Sequence, residues 1–211
     1  MKKLWIVAAD KKEIPRVDEL LNKIPASFKN AVEFHECGIG LFESAWRFGD
    51  ILETSARENR LPDGVILAGT AGSPNAEDIF KINLAEEFIN PRFVFEELPE
   101  FLPDRWKTTP VEFPAGINPQ NLRPGDFVHV PVYSAFGISK GVDHLAPSMA
   151  GAWENMEALS LSYACHKRQI PFMALLCCTN QICPEGRAQW RQNYLKAGEL
   201  LFEALSATLL K

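Results

Sequence analysis

Two acidic residues and two glycine-rich turns are the positions whose types could do chemistry in this chain. Glu13 follows a short apolar run, and Glu157 closes the segment Glu154-Asn155-Met156-Glu157 at the entrance to an apolar stretch. A carboxylate held near a water or a sugar hydroxyl can accept its hydrogen bond or take its proton. Alone, Glu13 reads better as an exposed carboxylate in a first helical turn, where the helix dipole favours it. Asn155 reads as a helix cap. Gly38-Ile39-Gly40 and Gly69-Thr70-Ala71-Gly72-Ser73 would let a ligand approach the backbone, because glycine has no Cβ. Neither spells a dinucleotide fingerprint or a phosphate-binding loop, and each alone is also a plain tight turn.

The pattern around these residues alternates between strands and helices. Residues 4–8 form a continuous apolar run, which predicts a strand buried on both faces. Ile14, Val17, Leu20 and Leu21 have helical spacing within 13–23. Alternation predicts a strand over 31–37, followed by a helix over 42–52. A second buried strand, 65–68, leaves through the glycine-rich 69–73. Strand character returns at 127–132, a helix is expected over 156–167, and a strongly apolar strand over 171–178 ends at Thr179-Asn180. Residues 187–210 read as a long amphipathic helix. Between 98 and 125, Pro99, Pro103, Pro110, Pro114, Pro119 and Pro124 predict irregular or edge structure. The sum is a single α/β domain around a largely parallel sheet. Ligands in such folds sit outside the carboxyl ends of the strands, so the exits at 9–13, 37–40, 69–73 and 179–180 are expected to meet at one site.

Composition narrows the partners. The chain has 211 residues, 46% hydrophobic, with a net charge of −5. An acidic balance disfavours nucleic acid and anionic membrane, which both need a basic excess. No apolar run approaches the roughly 20 residues that cross a bilayer. The apolar start stops at Asp10-Lys11-Lys12-Glu13, so a first strand is expected there rather than a leader. The five cysteines, Cys37, Cys165, Cys177, Cys178 and Cys183, follow no paired metal spacing. Reduced thiols in a cytoplasmic protein are the expectation.

Several of these segments resemble the purine nucleoside phosphorylase and nucleosidase superfamily. Residues 8–14 are similar to its Gly-Ala-x-x-x-Glu-Val segment, and Cys37-Gly38-Ile39-Gly40 to its Ser/Cys-Gly-Ile-Gly turn. Gly69–Ser73 is similar to its Gly-x-Ala-Gly-Ser loop, and Met156-Glu157-Ala158 followed by Thr179-Asn180 to its Met-Glu-Ala and Ser-Asp/Asn pair. The order holds along nearly the whole chain outside 98–125. Asn180 with Pro184, Arg187 and Trp190 is most similar to the futalosine hydrolases, nucleosidases of menaquinone synthesis. The related methylthioadenosine/S-adenosylhomocysteine nucleosidases carry aspartate at the Asn180 position.

The resemblance implies a three-layer α/β/α sandwich with a mixed, largely parallel sheet, and hydrolysis of a purine N-glycosidic bond. It implies that Glu157 holds the ribose diol, that Met156 packs on the sugar and that Glu13 activates water. Phe136 is then the aromatic that stacks on the base, and Gly40, Ala71 and Gly72 supply backbone around the ligand. Asn180 faces the base, and Arg187 meets a carboxylate on the substrate's tail. A homodimer is implied; no metal and no organic cofactor are. Asn180 can donate a hydrogen bond but cannot deliver a proton as an aspartic acid would. That favours a 6-oxopurine, whose anion is delocalised onto O6 and leaves more readily than adenine. Leu176 stands where the family usually has arginine, Thr179 stands for serine, and His144 is read as a surface histidine. The alternatives left open are a phosphate-dependent phosphorylase, which would need arginines beside the glycine-rich turns, and a nucleoside-binding paralogue without turnover.

Overall fold

Strand β1 (Leu4–Ala8) is buried at all five positions. Leu4, Ile6 and Ala8 enter one apolar cluster, Trp5 and Val7 another. This is the period of two expected of a strand covered on both faces. In β3 (Gly64–Ser73), Ile66 and Ala68 join the first cluster while Val65 and Leu67 join the second. In β10 (Phe172–Gln181), Met173, Leu175 and Cys177 face one way, Phe172, Ala174 and Leu176 the other. Helices α1 (Val17–Lys23) and α4 (Gly186–Leu209) cover the first cluster through Val17, Leu20, Leu201 and Leu205. Helices α2 (Leu41–Arg57) and α3 (Ala158–Lys167) cover the second through Phe48, Leu52, Leu161 and Cys165. Helices on both faces of one sheet make the expected three layers. The molecule is described as a computed structural model, over residues 2–90, 105–114, 127–142 and 149–210.

The remaining strands are β2 (Val32–Glu36), β4 (Ile82–Ala85), β5 (Glu87–Ile89), β6 (Arg105–Lys107), β7 (Phe127–Val128), β8 (Val132–Ser134) and β9 (Trp153–Asn155). The sheet runs β6-β5-β8-β9-β3-β10-β4-β7, and β1 binds β3 on one side and β2 on the other. Pairs β1–β2, β1–β3, β3–β10, β4–β7, β5–β8 and β8–β9 are parallel. Pairs β4–β10, β3–β9 and β5–β6 are antiparallel. The sheet is therefore mixed and largely parallel.

One detail of register creates the site. Strand β3 pairs with β10 along its whole length. Along its other edge it pairs with β1 only as far as Leu67, then with β9 at Gly72. Between these points the sheet splits, and the edge of β3 at Ala68–Ala71 is open to side chains from elsewhere.

The structure departs locally from the sequence reading. Glu13 lies in a short 3-10 turn, Lys11–Glu13, and α1 begins only at Val17. Pro15 explains this, because a proline disfavours helical backbone at the residue before it. Residues 69–73 and 179–181 are paired strand rather than exit loops. The expected 127–132 strand is broken into β7 and β8 before and after Pro131, which has no N–H to give a ladder. The helix expected over 156–167 starts at Ala158, behind the unanticipated strand β9. Strands β4 and β5 were not anticipated either. Within the Pro-rich segment, Arg105–Lys107 forms an edge strand on β5. Residues 98–104 and 115–125 lie outside the described residues, as does His144.

Cys37, Cys165, Cys177 and Cys178 are buried free thiols. Burial pushes all four up, away from the reactive thiolate. Among the described residues, no group of three or more His, Cys, Asp or Glu side chains is placed to hold a metal ion. No described helix is long and apolar enough to cross a membrane.

Candidate active site

The split in the sheet opens into a cavity of about 730 Å³. Its lining brings together Glu13, Ala71, Gly72, Met156, Glu157, Asn180 and Arg187, which are scattered from the start of the chain to its last helix. Four strand ends supply them, as the fold class predicts.

Glu13 enters from the 3-10 turn. Its Oε1 accepts from Thr70 Oγ1 at 3.1 Å and its Oε2 from the Ala9 N–H at 3.3 Å. Thr70 in turn accepts from Trp190 Nε1 at 3.2 Å. The turn can reach this position because α4 has Gly198 beneath it. A Cβ at Gly198 would stand 2.7 Å from Pro15 Cδ and 2.8 Å from the Glu13 carbonyl oxygen.

Glu157 enters from the start of α3 and is buried. The Gly40 N–H, at the start of α2, donates to Glu157 Oε1 at 2.7 Å. Gly40 thus contacts the carboxylate rather than the cavity itself. Asn155 does the capping that its type suggests: its Oδ1 accepts from the N–H groups of Glu157 and Ala158 at 2.8 and 2.7 Å. Its Nδ2 donates to the Thr70 carbonyl at 2.9 Å, which ties α3 to the open edge of β3.

The two carboxylates share one enclosure. Burial lifts the Glu13 carboxyl far above its ordinary range, and the negative charge of Glu157 lifts it further, against the hydrogen bonds from Thr70 and Ala9. Burial lifts Glu157 as well, partly offset by the Gly40 N–H and by Asn155. Two buried carboxyls in one enclosure, each lifted above its ordinary range, titrate together. A pair of this kind can accept a diol and trade a proton with water.

Asn180 sits beside them on β10, buried and oriented. Thr179 Oγ1 donates to its Oδ1 at 3.0 Å, and its Nδ2 donates to the Gln181 carbonyl at 3.1 Å. Asn193 Nδ2 holds the Thr179 carbonyl at 2.8 Å. Leu176, at the position where an arginine was expected, is fully buried in the apolar layer under α2 and α3. Phe136 does not line the cavity of the single chain. It is 63% exposed and packs on Phe42 with ring centroids 5.6 Å apart, whereas its neighbours Gly137 and Ile138 do line the cavity.

Sequence reasoning assigned no site role to Glu154, Thr70, Lys12, Lys140 or the stacked pair Trp190–Tyr194, all of which line the cavity. Trp190 and Tyr194 had a usable signal: with Arg187 they follow one another at helical spacing along α4.

No protein-family profile matches the chain, and no curated protein matches its sequence. Solved structures do match in shape. The 5′-methylthioadenosine/S-adenosylhomocysteine nucleosidase of Neisseria meningitidis, solved with methylthio-immucillin-A, superposes with a TM-score of 0.78 at 16% identity, over 100% of this chain and 99% of that one. The native futalosine hydrolase of Helicobacter pylori gives 0.77 at 14% identity, over 98% and 96%. The methylthioadenosine/S-adenosylhomocysteine nucleosidase of Streptococcus pneumoniae, solved with a transition-state inhibitor, gives 0.73 at 14%, over 99% and 98%. The chain has the fold of these nucleosidases from end to end.

Proposed function

We propose that this chain is a nucleosidase that hydrolyses the N-glycosidic bond of a purine nucleoside, with a 6-oxopurine as the favoured base. The observation that carries the reading is the meeting of Glu13 and Glu157 in one cavity, next to an oriented Asn180. The solved structures that share the fold are nucleosidases by name, which supports the same class.

In this reading Glu157, as the carboxylate, accepts the 2′ and 3′ hydroxyls of ribose, and Met156 packs against the ring. Charge-assisted hydrogen bonds of this type are worth about 1.5–3 kcal/mol each. They also stabilise positive charge that develops at C1′ as the C1′–N bond breaks. Glu13, as the carboxylate, takes a proton from water while the water oxygen bonds to C1′. The electron pair of the broken bond leaves with the base, which then takes up a proton from solvent. Asn180 Nδ2 donates to the purine edge, and its uncharged amide does not repel O6 as a carboxylate would.

Water is favoured over phosphate as the acceptor because the cavity floor is acidic. The cations that line the cavity, Lys12, Lys140 and Arg187, are exposed and without an ion pair among the described residues. Their place suits an anionic substituent on the ribose 5′ carbon, such as the carboxylate of a futalosine-like substrate.

The chain is also proposed to act as a homodimer. Phe42 is 76% exposed and Trp46 71% exposed on one side of α2, beside Ile39 at the cavity mouth and Phe136. A contiguous apolar patch of this kind marks an interface. A second copy seated on it would cover Phe136 and close the mouth.

Incubation with inosine, adenosine and their 5′-substituted forms, with and without phosphate, tests the whole reading by chromatography of the freed base. Release of hypoxanthine independent of phosphate is the expected result. Phosphate-dependent release, or binding without cleavage over hours, overturns it.

A further inference from the structure

Glu154 has no part in the mechanism above, yet it is only 4% exposed and lines the same cavity. Tyr133 Oη donates to its Oε2 at 2.9 Å and the Ser139 N–H donates to its Oε1 at 2.9 Å. Each carboxylate oxygen can accept two hydrogen bonds, so each keeps one lone pair. No described cation pairs with it. A buried carboxylate held by two neutral donors is costly unless a further donor arrives.

Its place says where that donor would come from. Glu154 pairs across the sheet with Gly72, and Gly72 pairs on its other side with Asn180. Residues level with one another on adjacent strands project to the same face. Gly72 carries no side chain between Glu154 and Asn180, and the Asn180 amide leans over it beside Ile182: a Cβ at Gly72 would stand 2.8 Å from Asn180 Nδ2 and 3.3 Å from Ile182 Cγ1. Both side chains line the cavity, so a flat ring bound there can turn one edge toward the amide and another toward the carboxylate. Glu13 packs on Gly69 and Thr70, three and two residues earlier on β3, which is about 7–10 Å away at the rise of a strand. The two carboxylates of the reaction thus mark the sugar end, and Glu154 marks the base end.

We propose that Glu154 reads the base, accepting the N1–H of a 6-oxopurine and, where present, its 2-amino group. The proposal rests on the nucleosidase reading and names the residue that selects its substrate class. Hypoxanthine and guanine present a donor at N1, whereas adenine presents a lone pair there, which faces the carboxylate unfavourably.

Binding of the free bases hypoxanthine, guanine, 1-methylhypoxanthine and adenine, measured by calorimetry on the wild-type chain and on Glu154→Gln, tests this without requiring cleavage. The wild type is expected to bind guanine and hypoxanthine at least tenfold more tightly than adenine or 1-methylhypoxanthine. Glu154→Gln is expected to weaken guanine and hypoxanthine at least tenfold and leave adenine unchanged or tighter. Equal weakening of all the bases, or no change, assigns Glu154 to holding Tyr133 and the Ser139 loop and overturns the proposal. Should the variant not fold, equal wild-type binding of hypoxanthine and its 1-methyl form overturns it alone. Glu154-dependent base selection without turnover of any nucleoside would sink the nucleosidase reading and keep this one. Turnover with selection unmoved by the substitution would do the reverse.

Discussion

The two ends of the cavity are built on opposite principles. At the sugar end, Glu13 and Glu157 share a buried space; burial lifts both carboxyls, and the charge of Glu157 lifts Glu13 further. At the proposed base end, Asn180 and Glu154 lie on either side of Gly72, each held by neutral donors. The first arrangement stores an unfavourable charge that substrate can relieve. The second is fixed in advance and reads shape and donor pattern. In the proposed reading, chemistry belongs to the first end and choice of substrate to the second.

Substitution at each end should therefore fail in different ways. Glu157→Gln is expected to cut kcat/KM by about 10²–10⁴-fold for every nucleoside, since it weakens two charge-assisted hydrogen bonds to the sugar that they all share. Asn180→Asp is expected to act on the ratio instead, raising adenosine over inosine cleavage by roughly tenfold, because a protonated carboxyl can donate to adenine N7 and an ionised one repels O6. Steady-state kinetics on both nucleosides decide it. Should Glu157→Gln alter the ratio and Asn180→Asp alter only the common rate, the division into two ends is wrong.

The pH profile sharpens the sugar end. Glu13 must be ionised to accept a proton from water, so activity rises as pH passes through its raised pKa. The acid limb of kcat/KM is expected well above the ordinary carboxylate value of 4.5. Thr70→Ala removes a hydrogen bond that favours the ionised form, so its limb should move higher still. A limb near the ordinary carboxylate value in both proteins would show that neither burial nor the neighbouring carboxylate lifts Glu13.

Much of this contrast was legible in the chain. The apolar runs at 4–8, 65–68 and 171–178 announced the buried strands, because a strand covered on both faces needs no polar alternation. Glu13, Glu157 and Asn180 were found because each follows such a run or opens a helix, where backbone groups and ligands meet. Glu154 was named with Glu157 but given no role, because nothing local separates it from its neighbour. Its meaning comes from a register, Glu154 beside Gly72 beside Asn180, that joins residues 72, 154 and 180 across three strands. Residues 69–73 were misread as a loop for a related reason. Glycine and threonine there look like a turn, but β10 pairs with them throughout and overrides local preference. Phe136 was expected on the base, and its 63% exposure shows that a single chain leaves it facing outward.

The smallest expected effect is on stability, and its sign separates the ends once more. A carboxyl whose folded pKa is raised above its unfolded value contributes its full stability below the unfolded value and loses it as pH rises through the folded one. Glu13 is in this position, so the ionised pair strains the fold in mildly alkaline solution. Glu13→Gln removes a charge there and is expected to raise Tm by about 2–4 °C at pH 8, the shift produced by roughly 1 kcal/mol in a chain of this size. Near pH 4, where the wild-type carboxyl is already protonated, the gain should vanish. Asn180→Asp adds a buried carboxyl at the other end and is expected to lower Tm at pH 8 by a similar amount. Thermal unfolding of the three proteins at both pH values measures it. A Glu13→Gln gain that is the same at both pH values would mean that the carboxyl is not held protonated by its surroundings, and the sugar end would lose the strain that sets it apart.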